Sequence, residues 1–184
     1  MKVNVVNYQE KWKTIFKQEA QRLQAIFGDE LTNIYHIGST SVDGLKAKPI
    51  IDMMPVVKKI ERIDRYNNQM REIGYEALGE FGIKERRFFR KGQEERTHHI
   101  HVFQADNYTE IDRHVAVRDF LRAYSDEAVH YGNVKEKLAR QFPEDMESYI
   151  NGKDAFVKNL EKKALRWFFS GHSDNRRKGI SDEG

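Results

Sequence analysis

Ile50 to Val57 place the tightest constraint on how this chain folds. They read IIDMMPVV, an apolar run broken by one charge, Asp52. Such a run suits a buried strand, and a carboxylate inside it is costly to bury unless it is paired, hydrogen-bonded or metal-bound. The chain must therefore build a sheet covered by other elements and must satisfy Asp52 within it. Pro55 has no N–H for a ladder, so the strand is expected to end at its last turn or to lie near a sheet edge.

The rest of the pattern supplies the cover. Trp12, Ile15, Phe16, Ala20, Leu23, Ile26 and Phe27 recur at helical spacing, which predicts an amphipathic helix over 8–27 stopped by Gly28 and Asp29. A short strand is expected over 33–37, a charged helix over 58–73 ending at Gly74, and a short strand over 75–78. Strands at 88–91 and 100–104 flank the polar turn 92–95 and predict a hairpin. After Asp106 the spacing is helical over 111–124, 128–142 and 146–169, with Asn151 and Gly152 a possible interruption of the last. The fold class is α+β: a mixed β-sheet flanked by helices, with the C-terminal helices packed on it. One domain is expected over 1–169, followed by a polar, flexible tail over 170–184 that carries Arg176, Arg177 and Lys178.

Composition removes several functions. With no cysteine, a disulfide, a thiolate metal site and a cysteine nucleophile are excluded. Lys and Arg total 32 against 29 Asp and Glu, a net charge of +3, which is too balanced to argue for nucleic acid. No aromatic–basic block offers a stacking platform for RNA. The first residues lack the apolar core of a secretory signal, and no stretch approaches the ~18 apolar residues of a membrane span. A cytosolic protein without membrane contact is the expectation.

Three groups of residues carry possible chemistry. Gly38, Ser39 and Thr40 follow a strand directly, where backbone N–H groups, two hydroxyls and a following helix N-terminus suit a phosphate. The same residues also serve as an ordinary turn. Asp52 lies on the next strand and suits a hard cation such as Mg²⁺ or another divalent metal, with phosphate oxygens and water completing the shell. In the run Arg96-Thr97-His98-His99-Ile100-His101, strand alternation puts His99 and His101 on one face, fit to ligate a metal, grip phosphate or act as a base. Among the scattered cations Lys46, Lys48, Arg86, Arg87, Arg90, Lys91 and Arg96, the first choices for a bound phosphate are Lys48 and Arg87, with Arg96 beside the hairpin. Tyr124, Tyr131, Tyr149, Phe156, Trp167 and Phe168 read as core, and Arg118, Asp119 and Arg122 as a charged helix face or a second reach toward ligand.

The segment from Tyr35 to Asp52, with His36-Ile37-Gly38-Ser39-Thr40 and Ala47-Lys48-Pro49-Ile50-Ile51-Asp52, resembles the GrpB family, as does Arg96-Thr97-His98-His99-Ile100-His101-Val102. The likeness runs to about Phe156. It implies a nucleotidyltransferase-like fold in which a Gly-Ser pair binds triphosphate and two or three carboxylates hold divalent metal. Two departures stand out. The superfamily's D-x-D or D-x-E strand is Asp52-Met53-Met54 here, and the usual proline of the loop is Asp43. Two functions follow from the resemblance. One is metal-dependent transfer of a nucleotidyl group from an NTP to an unknown acceptor, with Gly38, Ser39 and Thr40 on the phosphates, Asp52 on the metal, Lys48 and Arg87 on developing charge, and His99 or His101 as ligand or base. The other is a catalytically degenerate module that binds a nucleotide or other phosphorylated small molecule.

Overall fold

A computed structural model describes residues 1–171. The first helix, α1 (Lys11–Phe27), buries Trp12, Phe16, Ala20, Leu23 and Phe27 along one stripe, the spacing that the sequence predicts. It precedes β1 (Leu31–Ile37), and β2 (Ile51–Val57) follows after a loop. Then come α2 (Asn67–Glu72), β3 (Tyr75–Ala77), β4 (Arg87–Lys91) and β5 (His98–Gln104). The chain closes with α3 (Tyr108–Ala123), α4 (Ser125–Gln141) and α5 (Met146–Phe169). The sheet order is β1-β2-β5-β4-β3; β2 and β5 run parallel and every other neighbouring pair is antiparallel. This is the expected α+β architecture.

Side-chain alternation sorts the sheet into two faces. Ile34, Met53, Val57, Phe89, Ile100 and Val102 pack against α1. Tyr35, Ile37, Met54, Val56 and Phe103 pack against Val115, Tyr131, Leu160 and Phe168 of the last three helices. Burying each such side chain is worth about 1.5–3 kcal/mol, so both layers are needed to hold the central strands. Asp52, His99 and His101 occupy positions of this second face.

Four expectations are corrected. Residues 58–73 do not form one α-helix: a 3₁₀ segment, Ile60–Tyr66, leads into α2. Ile60, Ile63 and Tyr66 all pack into the core, a spacing of three that matches the three-residue turn of a 3₁₀-helix. Asn151 and Gly152 do not interrupt α5, which runs unbroken through both, and the missing side chain of Gly152 leaves room for Leu138 of α4. Pro55 lies inside an internal strand, paired with Ile34 of β1, while the ladder to β5 skips Met54 and Pro55 between Met53↔Ile100 and Val56↔Phe103. The missing N–H is absorbed by that gap. Finally, no α-helix follows Gly38; Ser39–Ser41 is a single 3₁₀ turn, so helix-dipole charge does not reach a ligand there. The predicted tail lies almost wholly outside the described residues. Among those described, no helix is long and apolar enough to cross a membrane.

Candidate functional site

Parallel pairing of β2 with β5 sets Asp52 opposite His99, one residue pair before the strands enter the helix-covered core. The Asp52 Oδ1 atom lies 3.1 Å from His101 Nε2 and 3.6 Å from His99 Nδ1. His101 Nδ1 lies 3.3 Å from Arg86 Nη1. A guanidinium only donates, so Nδ1 accepts, and the remaining ring proton sits on Nε2 and points at Asp52. Arg86 is buried and fixed by the carbonyls of Glu80 and Phe81, at 3.2 and 2.7 Å. Burial works to raise the Asp52 pKa, but the hydrogen bonds from His101 and His99 prevail and hold it well below the usual carboxylate range.

Gly38 ends β1 against this carboxylate. Its φ is +70°, and a Cβ there would stand 2.7 Å from Asp52 Oδ2. Only glycine lets the backbone take this turn and approach Asp52 so closely. Ser39 then points toward α4, where Lys135 Nζ donates to its Oγ at 2.7 Å.

Two Tyr–Lys pairs at i, i+4 complete the wall. On α4, Lys135 Nζ lies 4.4 Å from the ring centroid of Tyr131. On α5, Lys153 lies 5.4 Å from the ring of Tyr149, and Lys48, from the β1–β2 loop, lies 5.3 Å from that same ring. Lys48 also reaches Met146 Sδ at 3.5 Å. Among the described residues, none of these three amines forms an ion pair with a carboxylate. Burial pushes the Lys135 pKa from its ordinary 10.5 to about 6, with the charges of Lys153 and Lys48 acting in the same direction. Burial and Lys48 bring Lys153 down to about 8, and burial lowers Lys48. Asp52 pulls all three the other way. The Tyr149 hydroxyl is fully buried without a hydrogen-bond partner.

Of the residues singled out from sequence, Gly38, Ser39, Lys48, Asp52, His99 and His101 converge. Thr40 does not: it is buried toward α1 and bonded to His36 Nε2 at 2.9 Å. Arg87 opposes Val102, so it projects on the α1 face, where it pairs with Asp64 at 2.7 Å. The neighbouring Arg86 takes the place at the site. Arg96 donates to the carbonyl of Gly92 and closes the hairpin turn. Arg118 and Arg122 bond the carbonyls of His36 and Ser41. Lys135, Lys153 and His114 were not anticipated, whereas Tyr131 and Tyr149 are buried as the sequence predicts and wall the site as well. The signal for the two lysines was present in Tyr131/Lys135 and Tyr149/Lys153, each a lysine one turn beyond a tyrosine read as core. His114 donates from Nδ1 to the carbonyl of Glu110, its ring lies 5.8 Å from that of His101, and burial with the Arg113 charge drives its pKa to about 3.

The donor set does not suit magnesium. Mg²⁺ asks for near-octahedral oxygen coordination, and the site offers one carboxylate, with the position of a second taken by fully buried Met54. His101 Nε2 carries its proton, and among the described residues no group of three or more His, Asp or Glu side chains is arranged to hold a metal ion.

The arrangement defines a class: a nested carboxylate–imidazole pair beside a glycine turn, walled by unpaired amines. The family follows from sequence comparison. The sequence profile described as GrpB protein matches residues 2–163, and the chain belongs to the GrpB family. It is 45% identical over 166 residues to UPF0157 protein YqkA of Bacillus subtilis; this match covers 90% of the chain but spans only 48% of that relative's length. It is 33% identical to glutamate-rich protein GrpB of Alkalihalophilus pseudofirmus, with 86% of this chain and 93% of the relative covered. The crystal structure of conserved protein GrpB from Enterococcus faecalis superimposes with a TM-score of 0.88 at 44% identity, covering 90% of this chain and 99% of that one.

Proposed function

We propose that this chain binds a nucleotide or another phosphorylated small molecule between the Gly38–Ser39 turn and helices α4 and α5. The observation that carries the reading is the gathering of three lysines without an ion-pair partner: Lys135 donates to Ser39, and Lys48 and Lys153, whose charges act on Lys135, lie on the ring of Tyr149. Buried amines that repel one another are costly in the free protein. A polyanion relieves that cost, and hydrogen bonds from ammonium groups to phosphate are among the stronger ones available. Asp52, held ionised by His101, orders the turn from behind.

The transfer reading of the family is the second one. It is favoured by the family's Gly-Ser turn standing directly beside the ionised Asp52 carboxylate. It lacks a second carboxylate, so binding without turnover is the better-supported function.

Calorimetric titration of ATP, GTP, CTP, UTP and coenzyme A tests the proposal, with Lys135→Met as the control that preserves side-chain volume. Saturable binding of at least one of them, weakened about tenfold or more by Lys135→Met, is the expected result. No binding by any of them sinks the proposal. Pyrophosphate release from a bound NTP would move the conclusion to the transfer reading.

A further inference from the structure

Resting on that binding reading, we infer that the phosphorylated ligand enters this site free of divalent metal, its charge met by Lys48, Lys135 and Lys153 in place of a cation. The class of ligand is then an uncomplexed phosphate ester or polyphosphate.

The first support is the commitment of the imidazole. To bind a metal through Nε2, His101 would have to move its proton to Nδ1. That nitrogen faces Arg86 Nη1 at 3.3 Å, so two donors would be set against each other. Arg86 is buried and held by two carbonyls, so it has no ready route away. The carboxylate oxygen nearest both imidazoles is the one that His101 already occupies, at 3.1 Å.

The second support is charge. Once an anion draws a proton onto Lys135, whose burial otherwise lowers its pKa to about 6, the three lysines and ionised Asp52 carry three positive charges against one negative, a surplus of two before buried Arg86 is counted. A divalent cation placed there adds to the surplus, whereas a phosphate dianion cancels it. Coordination of Mg²⁺ by a polyphosphate lowers the ligand's own charge by two and so removes part of what the lysines recognise. Excess Mg²⁺ therefore competes with the protein for the ligand.

The third support is the division of labour in the fold. Lysines come from α4, α5 and the β1–β2 loop, with Lys135 on Ser39 and the other two on the ring of Tyr149. Asp52 is engaged behind the turn by two histidines and by Gly38. The acid serves the protein's own turn, and the amines are the groups left for the ligand.

The test is calorimetry of ATP and inorganic tripolyphosphate into the full chain, in EDTA and in excess MgCl₂, with Lys135→Met and Lys153→Met in parallel. Circular dichroism verifies that each variant folds. Binding in EDTA that equals or exceeds binding in MgCl₂, lost about tenfold in either variant, is the expected pattern. Mn²⁺ titrated alone and followed by its paramagnetic resonance should show no site that Asp52→Asn removes. Binding that requires MgCl₂, or a Mn²⁺ site lost in Asp52→Asn, overturns the metal-free inference and leaves the ligand-binding reading standing. Absence of binding by either probe under both conditions overturns the two together.

Discussion

Burial of Lys135 couples stability to pH and, under the proposed binding function, to ligand. Its pKa falls from 10.5 to about 6 because it is buried beside Lys153 and Lys48. Near neutral pH the unfolded chain holds this proton and the folded chain releases it. Stability therefore rises with pH across that window and is lost as pH falls from the unfolded toward the folded value. The thermal midpoint should drop between about pH 9 and pH 6, and Lys135→Met should flatten that slope and raise the midpoint near pH 7. A bound anion favours the charged amine, so tripolyphosphate binding should take up protons and tighten over the same interval. Calorimetry in buffers of different ionisation heat measures the uptake. A proton-neutral titration with unchanged pH slope in the variant would show that Lys135 plays no such part.

At the scale of elements, much of the fold was legible and the site was legible in part. The single charge in Ile50–Val57 marked a buried strand and a carboxylate to be satisfied within it, though not its internal place in the sheet, and alternation in His98–His101 put two imidazoles on one face. Arg86 and Arg87 could not be told apart, because which one faces Asp52 depends on the β4–β5 register. Lys135 and Lys153 were hidden for another reason: their role arises only when α4 and α5 pack together over the sheet. That packing turns on Gly152, where an added Cβ would meet Leu138 Cδ2 at 2.7 Å. The flexible tip of Leu138 can yield to a methyl group, but not to a long side chain. Gly152→Leu is therefore expected to cost about 1–3 kcal/mol through overpacking. It should also weaken tripolyphosphate binding, because α5 carries Lys153 and Tyr149. Chemical denaturation and titration of the same variant measure both, and a loss of stability with unchanged affinity would separate the helix contact from the site.

On the scale of the whole molecule, the sheet divides two tasks between its faces. The lysines of the proposed site lie on the side of α4 and α5, while the α1 side holds a buried charge network. Glu19 of α1 accepts from Tyr75 at 2.7 Å and from Lys91 at 2.6 Å, tying the helix to strands β3 and β4. Burial acts to raise the Glu19 pKa, but the hydrogen bonds from Lys91 and Tyr75 prevail and lower it. Its stabilisation is thus present above the ordinary carboxylate value of 4.5 and is lost as pH falls through the lower folded value. Glu19→Gln leaves Lys91 without its counter-charge. The expected cost is about 3 kcal/mol, the low end for breaking a buried pair because Lys91 keeps some contact with water. The variant should also unfold with a shallower dependence on acid than the parent chain. Since Asp52, Ser39 and the three lysines lie across the sheet, tripolyphosphate affinity should stay within about threefold of the parent. Denaturation at neutral and acid pH, beside one titration, decides the matter. A stability loss accompanied by an equal loss of affinity would mean that the two faces act as one unit, with the β-sheet transmitting the change.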